Sequence, residues 1–229
     1  MDIHKIKDIQ DIVLIADASH FKYAEAICAE MEISAKVRGT GISKRSPDYL
    51  KEKMQEGKAI IAFTHDLVWI GFCYIETWGH GKFVANSGLI VHPDHRKSGI
   101  ATKIKQKAFD LSRELYPDAK IIGITTSLAV LKINSVLGYE PTTFSELPVD
   151  DAFWKGCKSC VNYDVLTRTN RKNCLCTGMM YDPAEAQKKK EESGKEPRWD
   201  FLKESKLYER WMNFKQRIML RKRERKMKI

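Results

Sequence analysis

Three groupings in this 229-residue chain have the residue types and spacing of chemical sites. The first is the run Leu89, Ile90, Val91, then His92-Pro93-Asp94-His95, then Arg96, Lys97, Ser98, Gly99, Ile100 and Ala101. An apolar strand-like stretch gives way to small residues just where a helical pattern begins. The first amides of a helix have no carbonyl partner and sit at the positive end of its dipole, so they can cradle phosphate oxygens. Gly99, Ser98 and Ala101 would let backbone approach such a ligand, and Arg96 and Lys97 add charge of the right sign. On residues alone, an ordinary strand-to-helix connection reads the same way. The second grouping is Cys157-x-x-Cys160 and, thirteen residues on, Cys174-x-Cys176. Two close thiol pairs suit a structural tetrahedral zinc site, though the second pair lacks the two-residue knuckle spacing. Small buried core cysteines are the alternative. The third is Glu76, a carboxylate near the end of the otherwise apolar run 68–78.

The elements that must position these groups follow from periodicity. Residues 11–15 read as a strand, and from Ser19, taken as a helix cap, Phe21, Ala24, Ile27 and Met31 recur at helical spacing. After the loop Arg38 to Arg45, Ser46-Pro47 opens a second helix that ends at Gly57. Runs 58–64, 68–78 and 83–91 are separated by short turns and form an antiparallel meander. A helix over 99–116 carries Ile100, Ile104, Ala108, Leu111 and Leu115 on one stripe. The strand 120–126 and a helix to Leu137 follow. The order predicts an α+β fold: a mixed, mostly antiparallel sheet with a parallel pair formed by 83–91 and 120–126, and helices on both faces.

Charge divides the chain. Of 40 Lys+Arg and 30 Asp+Glu, residues 184–229 hold 16 and 8. The basic excess therefore belongs mainly to a tail, which gives no reason to expect the body to bind nucleic acid. Residues 1–183 read as one domain, including the Cys-rich segment 157–176; 184–197 reads as a polar linker and 198–229 as a basic amphipathic helix. The tail's stripe of Leu207, Trp211, Phe214 and Ile218 suits docking on a domain or on a second copy, giving a homodimer. No run approaches the ~20 apolar residues of a membrane span. The charged first residues lack a signal-peptide core, and six cysteines without one point to a reducing, cytoplasmic setting.

Val-x-Pro-x-x-Arg-x-x-Gly-Ile-Ala at 91–101 resembles the acyl-CoA pyrophosphate loop of the GNAT N-acyltransferase superfamily. The element order is that family's order, and Leu137-Gly138-Tyr139-Glu140-Pro141 is similar to its LGF-type segment. The resemblance covers residues 10–182 and implies a GNAT-like sheet in which the parallel pair is splayed. It also implies acetyl-CoA or another acyl-CoA, with the pyrophosphate on 96–101 and the pantetheine arm along 88–91, where Gly88 suits a bulge. Glu76 would then lie near the thioester as a base for the incoming ammonium, its carboxyl raised by burial, with His80 next in line. Many relatives carry a Tyr general acid at the position held here by Asn134, and an Asn at the position of Ser127. Either residue could hydrogen-bond the thiolate or pantetheine.

In this family the first two helices and their connecting loop face the acceptor. Arg38, Lys44 and Arg45 in that loop suit a carboxylate-bearing small-molecule amine. With the cysteine segment, RGTGISKRSP resembles a bacterial GNAT subgroup that acylates glutamate in arginine biosynthesis. The alternatives are a protein or ribosomal-protein acceptor held by the basic tail, and a non-catalytic acyl-CoA-sensing module.

Overall fold

The computed structural model describes residues 11–38 and 43–193. The first strand, β1 (Ile12–Ile15), leads to a 3-10 turn over Ala18–Tyr23 and then α1 (Ala24–Arg38). Asp17, not Ser19, caps this start: its extended backbone lets the carboxylate accept from the Ser19 amide at 2.9 Å, and the Ser19 hydroxyl donates to the same oxygen. Helix α2 (Pro47–Gln55) is capped by Ser46, whose hydroxyl accepts from the Tyr49 amide at 3.2 Å.

The meander forms as β2 (Ala59–Phe63), β3 (Trp69–Trp78) and β4 (Phe83–Val91). After α3 (Ile100–Leu115) come β5 (Lys120–Thr125) and α4 (Leu128–Val136). The chain then adds β6 (Glu140–Thr142), α5 (Asp151–Lys155), α6 (Tyr163–Arg168) and β7 (Thr177–Tyr181), so the sheet has seven strands in the order β1-β2-β3-β4-β5-β7-β6. Every neighbouring pair is antiparallel except β4 with β5. Sequence periodicity does not show β6 and β7, because short strands lying beside a Cys- and Lys-rich loop have no pattern of their own.

Both faces of the central strands are covered, which is why β2 and β3 read as continuous apolar runs rather than alternating ones. Ile61, Phe72 and Tyr74 pack with Ile27, Met31, Leu50 and Met54 of α1 and α2. Ile60, Ala62, Ile70 and Ile75 pack with Ile100, Ile104, Ala108 and Leu111 of α3. Leu115, at the end of the expected stripe, is exposed. A third cluster joins Ala85 and Ile122 to Phe144, Trp154 and Leu166.

Of the segment 184–197 that reads as a linker, the described residues to Ser193 belong to α7 (Pro183–Ser193). Pro183 suits the first helical position, and the Asp182 carboxylate accepts from the amides of Ala184 and Glu185. A compact unit ends at Ala186, and of the second unit the helical residues to Ser193 are described. The tail helix expected over 198–229 and its dimer role lie outside the described residues. No helix among those described is long and apolar enough to cross a membrane.

Candidate active site

The parallel pair is short. Phe83, Val84 and Ala85 of β4 pair with Lys120, Ile121 and Ile122 of β5, and the pairing stops there. Beyond it β4 runs on through Asn86 to Val91 paired to β3, while Gly123 to Thr125 of β5 pair with β7. The two strands therefore diverge and open a cleft between them. A bulge sits on the cleft strand: two residues, Gly88 and Leu89, oppose Cys73 of β3. Gly88 has φ +65°, and a Cβ there would meet the Tyr74 ring at 2.2 Å. Glycine is thus required by both backbone conformation and space. Next along, Ile90 turns into the cluster under α1 and Val91 into that under α3, with Leu89 half-buried beside it.

At the mouth of the cleft, the loop after Pro93 enters α3 through two left-handed residues, Lys97 (φ +67°) and Gly99 (φ +88°). Gly99 is the N-cap residue; nothing lies within 4 Å of where its Cβ would be. The first turn of α3 contains no acidic residue, so the amides of Ile100 and Ala101 meet no competing carboxylate within that turn. Open space, a positive helix end and no local anion fit a phosphate. Ser98 is turned back into the loop, its hydroxyl donating to the His95 carbonyl at 2.7 Å.

Arg96 behaves differently from Lys97. Its guanidinium donates to Glu30 (3.1 Å) and Ser34 (2.7 Å) of α1 and to the Val91 carbonyl (3.1 Å). It braces the loop against α1, and Glu30 matches its charge. The sequence shows Arg96 beside the helix start; that its side chain turns toward α1 depends on a contact 66 residues away.

Asn134, on α4, is 1 % exposed, and its side-chain oxygen has no hydrogen-bond partner. A buried acceptor without a donor costs ~1–3 kcal/mol. The neighbouring Ser127 is occupied as the α4 cap, accepting from the Val130 amide at 3.5 Å.

On the opposite face, Glu76 is 9 % exposed and sits in a ring of partners that sequence reasoning missed. The Tyr49 hydroxyl donates to Glu76 Oε1, and the Arg45 guanidinium lies 3.7 Å from the same oxygen. Arg45 also donates to the Tyr74 hydroxyl at 2.8 Å and covers the Tyr49 ring at 5.2 Å. Burial first, and the nearby Glu76 charge second, push both phenols up, so both stay neutral, Tyr49 as a donor to Glu76 and Tyr74 as an acceptor from Arg45. His80 is exposed in the β3–β4 turn.

A cavity of about 600 Å³ opens beside this ring, lined by Met31 and Glu32 of α1, by Lys36, Lys44 and Arg45, and by Cys160. Lys44 is exposed, 4.0 Å from Glu32. The side chain of Arg38 lies outside the described residues.

The Cys-rich segment closes one wall of the cavity. Ser43 donates to the Gly156 carbonyl at 2.5 Å, and the Lys44 amide reaches the Ser159 hydroxyl at 3.5 Å. Cys174 and Cys176 lie in the bend before β7, not on a strand. The four thiols are near one another: Cys176 is raised to about 12, by burial first and then by Cys174, Cys160 and Cys157. Burial likewise raises Cys157 to about 11. Yet no group of three or more His, Cys, Asp or Glu among the described residues could hold a metal ion. The structural zinc expected at Cys157, Cys160, Cys174 and Cys176 is therefore not supported. Pairwise proximity does not make a tetrahedral thiolate set, and Cys157, Cys174 and Cys176 pack into an apolar cluster with Phe153 and Trp154 that disfavours thiolates.

Sheet order, the splayed parallel pair and the glycine-led helix start define a mixed α+β fold with one parallel strand pair. The model of the acetyltransferase (GNAT) family matches residues 28–130 of the chain. Solved structures agree on the fold. N-acetylglutamate synthase from Neisseria gonorrhoeae, complexed with coenzyme A and N-acetyl-glutamate, superposes with TM-score 0.54 at 16% identity, over 77% of this chain and 36% of that one. This chain thus corresponds to about a third of that protein's length. Rv2747 from Mycobacterium tuberculosis, in complex with CoA, gives 0.53 at 15% identity, over 75% of this chain and 98% of that one. A GNAT-family acetyltransferase from Staphylococcus aureus gives 0.51 at 13%, over 76% and 99%. No curated protein matches the sequence.

Proposed function

We propose that the protein transfers an acyl group, acetyl in the first instance, from acyl-CoA to the amine of a small acidic amino acid such as glutamate. The observation that carries the acyl-CoA half is the end of β4–β5 pairing at Ala85–Ile122, with the open, anion-free start of α3 at the mouth of the same cleft. In this reading the pyrophosphate rests on the amides of 98–101 and the pantetheine follows Gly88 to Val91. Asn134, an acceptor lacking a donor, takes an N–H or S–H from the ligand. Arg96 holds the loop in shape instead of touching the phosphates.

The acceptor half rests on the cavity beside Glu76, where Lys36, Lys44 and Arg45 outnumber Glu32. The Neisseria enzyme of the same fold was solved with N-acetyl-glutamate, which agrees with an acidic acceptor. Glu76, held in place by Tyr49 and Arg45, takes the ammonium proton as nitrogen attacks the thioester carbonyl. Arg45 is partly spent on Glu76, whereas Lys44 is held only by an exposed 4.0 Å pair with Glu32, so Lys44 makes the first contact with a substrate carboxylate.

Steady-state assays with acetyl-CoA against glutamate, glutamine, leucine and lysine-bearing peptides test the reading. Glutamate should be the preferred acceptor. Equal rates with neutral amines would remove the acidic acceptor, and turnover on peptides alone would favour a protein substrate. Tight CoA binding without turnover on any of them would leave a sensing module.

A further inference from the structure

Behind the inner end of the cleft lies a buried cation that the scheme above does not use. Lys105 is 2 % exposed on the sheet-facing side of α3, one residue beyond the apolar Ile104. Its ammonium donates to Asn86 Oδ1 at 3.3 Å and stands 5.3 Å from the Tyr139 ring. The Tyr139 hydroxyl donates to the same Asn86 oxygen at 2.8 Å, and Asn86 Nδ2 donates to Ser112 at 2.8 Å. Among the described residues no carboxylate pairs with Lys105. A buried ammonium with a neutral amide for its partner is expensive, and the fold retains it.

Its location is specific. Asn86 is the first residue of β4 past the last β4–β5 pair, so Asn86 forms the apex of the splay and Lys105 stands directly behind it. Helix α3 descends from the phosphate end of the cleft, and Lys105 lies five residues, about 7.5 Å of helix rise, below Ile100. A pantetheine arm that starts at the α3 N-terminus and follows β4 inward brings its sulfur toward this apex.

We infer that Lys105 is the fixed positive charge that stabilises the departing CoA thiolate, acting across Asn86 from behind the β4–β5 apex. The inference rests on the acyl-CoA reading given above. When the tetrahedral adduct collapses, the C–S bond breaks and its electron pair stays on sulfur. Lys105 keeps its own proton, and the thiolate later takes up the proton released by the amine, leaving as the CoA thiol. Lys105 is a positioning residue in this scheme: it holds Asn86 and supplies field, without touching substrate. The titratable groups facing it are the Cys73 thiol from β3 and the Tyr139 phenol from the turn after α4, and burial raises both, Cys73 to about 11. Neither supplies a competing anion at neutral pH. Burial lowers Lys105 itself to about 8, so it is still charged at neutral pH.

The test needs no acceptor. CoA bound to the full chain is titrated by its ultraviolet thiolate absorbance, with the complex of CoA lacking its thiol as the blank for protein cysteines. In the wild type the bound thiol should ionise about one to two pH units below free CoA, as expected for a cation several ångströms away at moderate effective dielectric. Lys105→Met should return the midpoint to that of free CoA with low-pH CoA affinity unchanged, and Lys105→Arg should keep it low. Equal midpoints in wild type and Lys105→Met would overturn the inference and leave the acyl-CoA reading intact. Failure of the wild type to bind CoA would overturn both.

Discussion

The two faces of the sheet solve different problems with different materials. On the α3 side the candidate ligand surface is mostly main chain: the bulged edge of β4, the left-handed Lys97 and Gly99, and the first amides of α3. On the α1–α2 side it is all side chain: Glu76 held by Tyr49 and Arg45, and a cavity walled by the Cys-rich segment. A backbone-built site is written in short local runs, because glycine and helix-start requirements act within a few residues. A side-chain-built site is assembled from elements far apart, such as Ser43 with Gly156, 113 residues away. Local motifs therefore announce the first, and only packing reveals the second.

The comparison can be broken on the backbone side first. Gly99→Glu places a side chain at φ +88° and a carboxylate where phosphate would sit, so calorimetry should show CoA binding abolished. Undiminished affinity would mean the helix start does no such work. On the other face, Glu76→Gln should cut kcat by about 10²–10⁴ while CoA affinity holds, the range typical of a lost general base. Tyr49→Phe, which removes one donor to Glu76, should fall between this variant and the wild type.

A smaller effect sharpens the contrast in stability. Lys105 is lowered from 10.5 to about 8 by burial, so the unfolded chain binds its proton more tightly than the folded one. The cost of about 3 kcal/mol is fully present below pH 8 and fades as pH rises from 8 toward 10.5. Lys105→Met should therefore raise the denaturation midpoint most at neutral pH, with the gap closing by about pH 10. A gap that stays constant with pH would show that the ammonium is not what the substitution relieves. Smallest of all, Lys44→Ala should raise the glutamate KM by several-fold at most, because an exposed ion pair contributes only about 0–1 kcal/mol. A much larger rise would mean that substrate binding buries Lys44.

Residue by residue, the division between what could be read and what could not has a physical cause. The strands of the meander, helix α3 and the Gly99 loop follow from apolar period, from Gly and Pro punctuation and from the needs of a helix N-terminus. Gly88 was readable as a bulge because a strand interior rarely holds glycine without a reason. By contrast, the turn of Arg96 toward Glu30, the orphaned Asn134 oxygen and the Tyr49–Glu76 contact have no local signature. Nor did the four cysteines settle their own role: their spacing admits both zinc and core, and the packing around Phe153 and Trp154 is what weighs against zinc. A trace of Lys105 was available, since Ala101, Lys105, Ala108 and Ser112 recur at four, three and four residues along the α3 face. A lysine on that seam reads as a surface residue until the sheet is placed against it.

The sequence by itself thus determined the order of elements from β1 to α4, the parallel crossover and the place where backbone could meet phosphate, because short-range sterics and periodicity suffice for these. Tertiary structure alone decided where β4 and β5 part, what surrounds Glu76 and which charge is buried without a carboxylate. Those depend on the burial of groups from separate elements in one low-dielectric interior, where desolvation and pairing energies are set by neighbours that the local sequence does not name.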